Sequence, residues 1–255
     1  MKRTISLLTL LLCIVITAPV SGAMIKGGEN LSIDEAIDDD LYIAGGYLDI
    51  MEDIGGDLMA AGGEIFIRGN IEEDLTVAGG KIYIQGEVGD DVRVAGGEVR
   101  ITGSIDDDLF VTAGRVEISE DATIGGDLRV AGGDVYINGT VKGDIDVRGG
   151  RIIIRGNVGG NIDAEADLIA IHAIIKGESK LVADEIGIGS TARFSNDVEY
   201  WQKEGQIDLT PNLDGAGAAF NPKLARSSVG RKDKAISHFL SVAFFTNLVF
   251  SILFA

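Results

Sequence analysis

A seventeen-residue motif repeats along most of the chain. DLTVAGGKIYIQGEVGD (74–90) is followed at once by DVRVAGGEVRITGSIDD (91–107). With Asp74 as position 1, units start at Asp40, Asp57, Asp74, Asp91, Asp108, Asp127, Asp144, Asn161 and Glu178. A tenth opens at Asp197 and then departs from the pattern. The step is seventeen residues except after Asp108 and Glu178, where it is nineteen, and both extensions fall at the same place in the unit. A period this short leaves no unit a core of its own, so each must bury its apolar side chains against its neighbours.

Within a unit the pattern is D-L-x-V-A-G-G-x-I-x-I-x-G-x-I-x-x. Position 11 is isoleucine in every unit, and Ile67, Ile84, Ile101, Ile118, Ile137 and Ile154 form the central part of that ladder. Position 9 is always Leu, Ile or Val, positions 2 and 4 are mostly so, and position 15 is Ile or Val until Phe194. The L-x-V and I-x-I alternation has the strand period of 2, and the β-branched residues suit a pleated surface. Glycine pairs such as Gly79–Gly80, and a further glycine at position 13 such as Gly86, predict corners that use glycine's access to positive φ. The last two units carry Ala166–Asp167 and Ala183–Asp184 in place of the pair. The expected fold is all-β: a single-stranded β-solenoid of about nine turns, two or three short strands to a turn, roughly 40 Å long at the strand spacing.

The ends read differently. Residues 1–23 (MKRTISLLTLLLCIVITAPVSGA) have a basic start, an apolar run and small residues before a cleavage point, the pattern of a secretory signal peptide. Cys13, the single cysteine, lies in that run, so disulfides are not expected to hold the exported chain together. Residues 24–39 read as an N-terminal half-turn cap, 40–198 as the repeat domain, and 199–234 as a C-terminal cap and linker. Tyr200 and Trp201 stand where the tenth turn fails, and with Phe194 they are the residues expected to cap the stack or join it to another. Residues 235–255 (AISHFLSVAFFTNLVFSILFA) are apolar and long enough to span a bilayer. They read as a transmembrane helix, the first of a longer membrane region or an interfacial tail. Localisation to the cell envelope follows, with the coil outside the cytoplasm.

The net charge of −18 makes nucleic acid a poor partner. The acids cluster at position 1 and just before it, and stacking sets like charges about 4.8 Å apart. One reading is that each position-1 aspartate accepts backbone N–H bonds within its own turn, as Asx turns do. The sharper reading is a row of weak divalent-cation sites at Asp74, Asp91, Asp108 and Asp127. His172 falls at an outward position and reads as a surface residue. No nucleophile–base set, metal spacing or phosphate loop is present, so neither enzymatic activity nor a cofactor is expected.

GGDLRVAGGDVYINGTVKGD (125–144) and its neighbours resemble the bactofilin, or polymer-forming cytoskeletal, family over roughly 40–198. The resemblance implies a right-handed β-helix that polymerises end to end without a nucleotide and has no catalytic residues. The export signal and apolar C-terminal segment make this chain more similar to exported, membrane-anchored relatives. Two functions follow as expectations: a membrane-tethered envelope scaffold that associates with itself, or a monomeric surface rod that binds a partner or cations along its acidic corner.

Overall fold

The computed structural model describes residues 23–225. It is an all-β coil whose successive turns stack in parallel into a sheet of twelve strands. Each turn contributes one continuous ten-residue strand, from Met24–Ile33 and Leu41–Ile50 through to Ser179–Ile188. The register carries the period directly: Leu75 pairs with Val92 and Ile84 with Ile101, seventeen residues apart. At the two longer units the step becomes nineteen, as in Leu109 with Leu128 and Ser179 with Val198. There the extra residues form tight turns, closed by the amides of Ala122 and Ala192 donating to Ser119 and Gly189 carbonyls.

The single long strand replaces the expected short ones because its inward phase shifts midway. Positions 2 and 4 face the core, then positions 9 and 11, as in Leu75, Val77, Ile82 and Ile84, all at most 1% exposed. Five residues separate position 4 from position 9. That odd spacing requires a bend, made at A-G-G without breaking the backbone pairing. A third inward column runs through position 15, where Ile54, Ile71, Val88 and Ile105 bridge one another in parallel. The three columns merge into one continuous apolar core.

Glycine works here by a different route from the one the sequence suggests. None of the repeat's glycines has positive φ; among the described residues only Gly205 and Gly215 do. The reason for glycine is contact with the turn below. A Cβ on Gly79 would meet the Gly62 carbonyl oxygen at 2.7 Å, and one on Gly80 the Gly63 oxygen at 2.7 Å. Position 13 is tighter still, with a Cβ on Gly86 or Gly103 driven into the carbonyl beneath it. At these corners two consecutive amides, Thr102 and Gly103, both donate to the Ile84 carbonyl, at 2.8 and 3.3 Å. Where Ala173 takes the place of the glycine, only His172 makes the matching bond to Ile154.

The stack extends past both expected boundaries. Residues 24–39 form a full turn instead of a half-turn, since Met24–Ile33 pairs along its length with Leu41–Ile50. Leu31, Ile33 and Ile37 already hold positions 9, 11 and 15, although the D-L-x-V opening is missing. At the other end, 210–222 is no free linker. It contains a 3-10 turn at Thr210–Asn212, and Ala218–Phe220 pairs with Val198–Tyr200. Twelve strands at the usual spacing give a sheet about 50 Å long. Among the described residues no helix is long and apolar enough to cross a membrane, and the signal and tail segments lie outside them.

Candidate functional site: two unlike ends and an acidic corner

The two ends of the coil differ. Among the described residues Met24–Ile33 is the last strand at the N-terminal end of the sheet, paired on one side only. Within those residues its outer edge carries unpaired backbone groups. Ile25 is 72% exposed and Met24 40%. Position 4, aliphatic or alanine in the repeat units from Asp40 to Glu178, is Lys26 in this strand, directly in register with the buried Ile43.

At the C-terminal end the columns through positions 2, 4 and 15 are covered by chain from 203–225. Phe194 is fully buried at position 15, and Leu213 bridges to it. Tyr200 is 3% exposed at position 4, and its ring meets Phe220 edge-on at 5.7 Å. The Tyr200 hydroxyl donates to the Ile207 carbonyl and accepts from the Ile207 amide, both at 3.1 Å. Gln202 accepts the Ile186 amide through Oε1 at 3.0 Å, and the Asn212 side chain donates to the Gly189 and Ala192 carbonyls. Trp201 is half-buried on the outward side of the same strand.

Residues 91–180 match the family model described as bactofilin, polymer-forming cytoskeletal. This stretch is similar to the bactofilin family. No curated protein and no solved structure matches the chain. The bactofilin family is a structural one, which fits a coil whose turns have nearly uniform length.

The acidic corner runs through the matched stretch and beyond both its ends. Each position-1 aspartate accepts an amide from the turn that follows, not from its own. Asp74 Oδ1 takes the Asp91 amide at 3.1 Å, Asp91 that of Asp108 at 3.2 Å, and Asp108 that of Asp127 at 2.7 Å. The row continues through Asp127 and Asp144 to Asn161 and Glu178. The Asx-turn expectation is corrected in this respect: the bonds link turns. A parallel stack brings the amide seventeen residues on directly over the side chain, closer than any amide of its own loop. Charge repulsion along the row is relieved by Arg93, which reaches Asp74 at 2.9 Å and Asp91 at 2.6 Å, and by Arg129 at 3.6 Å from Asp127. Desolvation, then the charges of Asp108, Asp91, Asp90 and Asp127, raise the Asp107 carboxyl above its ordinary value.

The corner does not gather the four candidate cation ligands into one site. Carboxylate oxygens come within 4.8 Å of one another in two groups among the described residues, Asp40 with Asp57 and Glu73, and Asp90 with Asp91 and Asp107. Of Asp74, Asp91, Asp108 and Asp127, only Asp91 belongs to either group. His172 is exposed and packs over Gly189.

Two features escaped the sequence reading. Tyr47, Phe66 and Tyr83 form an outward aromatic row, the last two stacked at 4.7 Å, with the Arg68 guanidinium 5.0 Å from the Phe66 ring centre. Further along, Arg148 touches three carboxylates, Asp146 at 2.7 Å, Asp163 at 3.1 Å and the buried Glu165 at 3.7 Å. Arg148 and Glu165 both stand at position 5, where alanine is usual, and that departure was the available signal.

Proposed function

We propose that the chain is a non-enzymatic structural protein, an exported and membrane-tethered β-helix that associates with other copies through its end as a scaffold of the cell envelope. The observation that carries this reading is the Met24–Ile33 edge, uncovered among the described residues, set against a C-terminal end closed by its own chain. An unpaired strand edge is a template for another strand. The bactofilin match supports a polymer-forming, structural role. Export and tethering rest on residues 1–23 and 235–255 of the sequence.

Electron microscopy and sedimentation of purified protein at rising concentration test the association. Concentration-dependent assemblies are expected, and discrete single rods at every concentration would sink the reading. Mass spectrometry of the mature N-terminus tests export: a chain starting near Met24 is expected, and retention of Met1 with cytoplasmic recovery would remove it.

The second reading, a monomeric rod that binds a partner, is favoured by one observation. A cleft of about 550 Å³ opens along the corner near Asp144, Asp163, Asp197 and Glu199. Calorimetry with calcium tests it, and a flat titration would leave the scaffold reading alone.

A further inference from the structure

The cleft on the acidic corner holds about 550 Å³ and crosses the turns from Asp127 to Glu199. Seven of its lining residues are acidic, and two, Arg129 and Lys180, are basic. Both basic side chains are already engaged, Arg129 at 3.6 Å from Asp127 and Lys180 at 2.7 Å from Asp163. Arg148 takes Asp146 at 2.7 Å. Asp144, Glu178, Asp197 and Glu199 meet no cation among the described residues. Asp144 and Asp197 accept only neutral amides, from Asn161 and Gly217. Ser179 also lines the cleft, and its hydroxyl is buried without a partner. Surplus negative charge and an unbonded polar group in one elongated cleft suit a short cationic segment.

The described part of the chain ends beside this cleft. The Asn221 amide donates to the Tyr200 carbonyl at 2.8 Å, and the Asn221 side chain donates to Glu199 on the cleft wall. The Leu224 amide turns back to the Asn221 carbonyl at 3.2 Å, and Leu224 is buried. Ala225 therefore stands four residues from an anchor on the cleft. The next nine residues, RSSVGRKDK (226–234), carry Arg226, Arg231, Lys232 and Lys234 against the single Asp233, in a chain of net charge −18. Nine residues reach at most roughly 30 Å. The cleft crosses five turns, about 19 Å at the strand spacing. The segment starts at one end of the cleft and is long enough to follow it. One exposed ion pair is weak and screened by salt. A tethered segment meets its seat at an effective concentration of about a millimolar, so several weak pairs act together.

We infer that residues 226–234 seat along this cleft in their own chain, with their cations against Asp144, Glu178, Asp197 and Glu199. From the exit at Glu199 the cleft extends only toward Asp127, so the seated segment runs back along the flank of the coil. Residues 235–255 then leave the coil from its side and not from its C-terminal end. The seat requires neither self-association nor export. It fills the cleft on which the partner-binding reading rests.

The test uses the full chain purified in detergent, as an equal mixture of isotope-labelled and unlabelled protein. A carbodiimide joins a lysine amine to a touching carboxylate with net loss of water, and mass spectrometry reads the linked peptides. Links from Lys232 or Lys234 to Glu178, Asp197 or Glu199 are expected within single chains, several-fold fewer in about 1 M salt. Asp144→Asn with Glu178→Gln and Asp197→Asn removes three charges and keeps the amide acceptors, as Asn161 does naturally at position 1. In that variant the links to Glu199 should fall several-fold. The inference is overturned by links spread evenly to remote acids such as Asp38 and Asp106, or by links formed only between chains. Links to Glu199 that the neutralisation leaves unchanged, or no link from either lysine, overturn it equally.

Discussion

At the scale of single residues, the repeat is governed by what lies seventeen positions away. Gly103 has an ordinary backbone conformation, and alanine would be tolerated there in an isolated turn. In the stack its Cβ has no room above the Gly86 carbonyl. Gly103→Ala should therefore destabilise the coil by about 2–3 kcal/mol through overpacking, read as a lower denaturation midpoint. Alanine at position 6 is different: Ala113, Ala166 and Ala183 occupy it naturally, so the same substitution at Gly96 should cost less. Asp107 gives a pH test. Its folded-state pKa lies above the ordinary 3.8, so the carboxylate works against folding once ionised. Stability should fall as pH rises from below 3.8 through the raised value. Asp107→Asn should melt higher than the parent at neutral pH, and the difference should vanish in acid below 3.8. A thermal melt series across pH reads this directly.

At the scale of the strand, the departures from the pattern carry the information. Ser179 holds position 2, where the other turns place aliphatics, and it is 2% exposed with its hydroxyl unbonded. A buried unsatisfied hydroxyl costs about 1–3 kcal/mol. Ser179→Val should raise stability by about 1–2 kcal/mol, visible as a higher melting temperature, provided the neighbouring Ile162 and Val198 keep their register. The Asp ladder is also an element-scale device. Each carboxylate fixes the amide of the next turn, so the corner stays in register where no strand pairing runs. Sequence showed that the acids stack, but both the bonding partner and the place of the cation candidates depended on inter-turn geometry.

At the scale of the whole molecule, stability is a sum over neighbouring turns, and no turn stands alone. Ile101 sits in mid-stack at 0% exposure, between Ile84 and Ile118. Ile101→Asp places an unpaired charge in the shared core and should abolish folding of the central turns, since burial of such a group is strongly penalised. Soluble yield and circular dichroism measure the effect, and an unchanged melt would contradict the common core. The ends set how far order propagates. Tyr200 with Phe220 closes the C-terminal end over position 4 and Phe194 with Leu213 closes it over position 15, whereas Met24–Ile33 is paired on one side only among the described residues.

The sequence alone determined the period, the inward columns and the parallel stacking. One-residue slips would expose every isoleucine at position 11, so alternation and repeat length admit a single register. It also marked where the regular pattern ends, at Tyr200. Tertiary structure decided what the glycines are for, because the carbonyl that excludes a Cβ belongs to the turn below and is invisible in a window of one unit. It decided that the aspartates bond between turns and that 24–39 is a full turn. It also decided that 203–225 closes one end, because such contacts join segments with no repeat of their own, and only the packed coil brings them together.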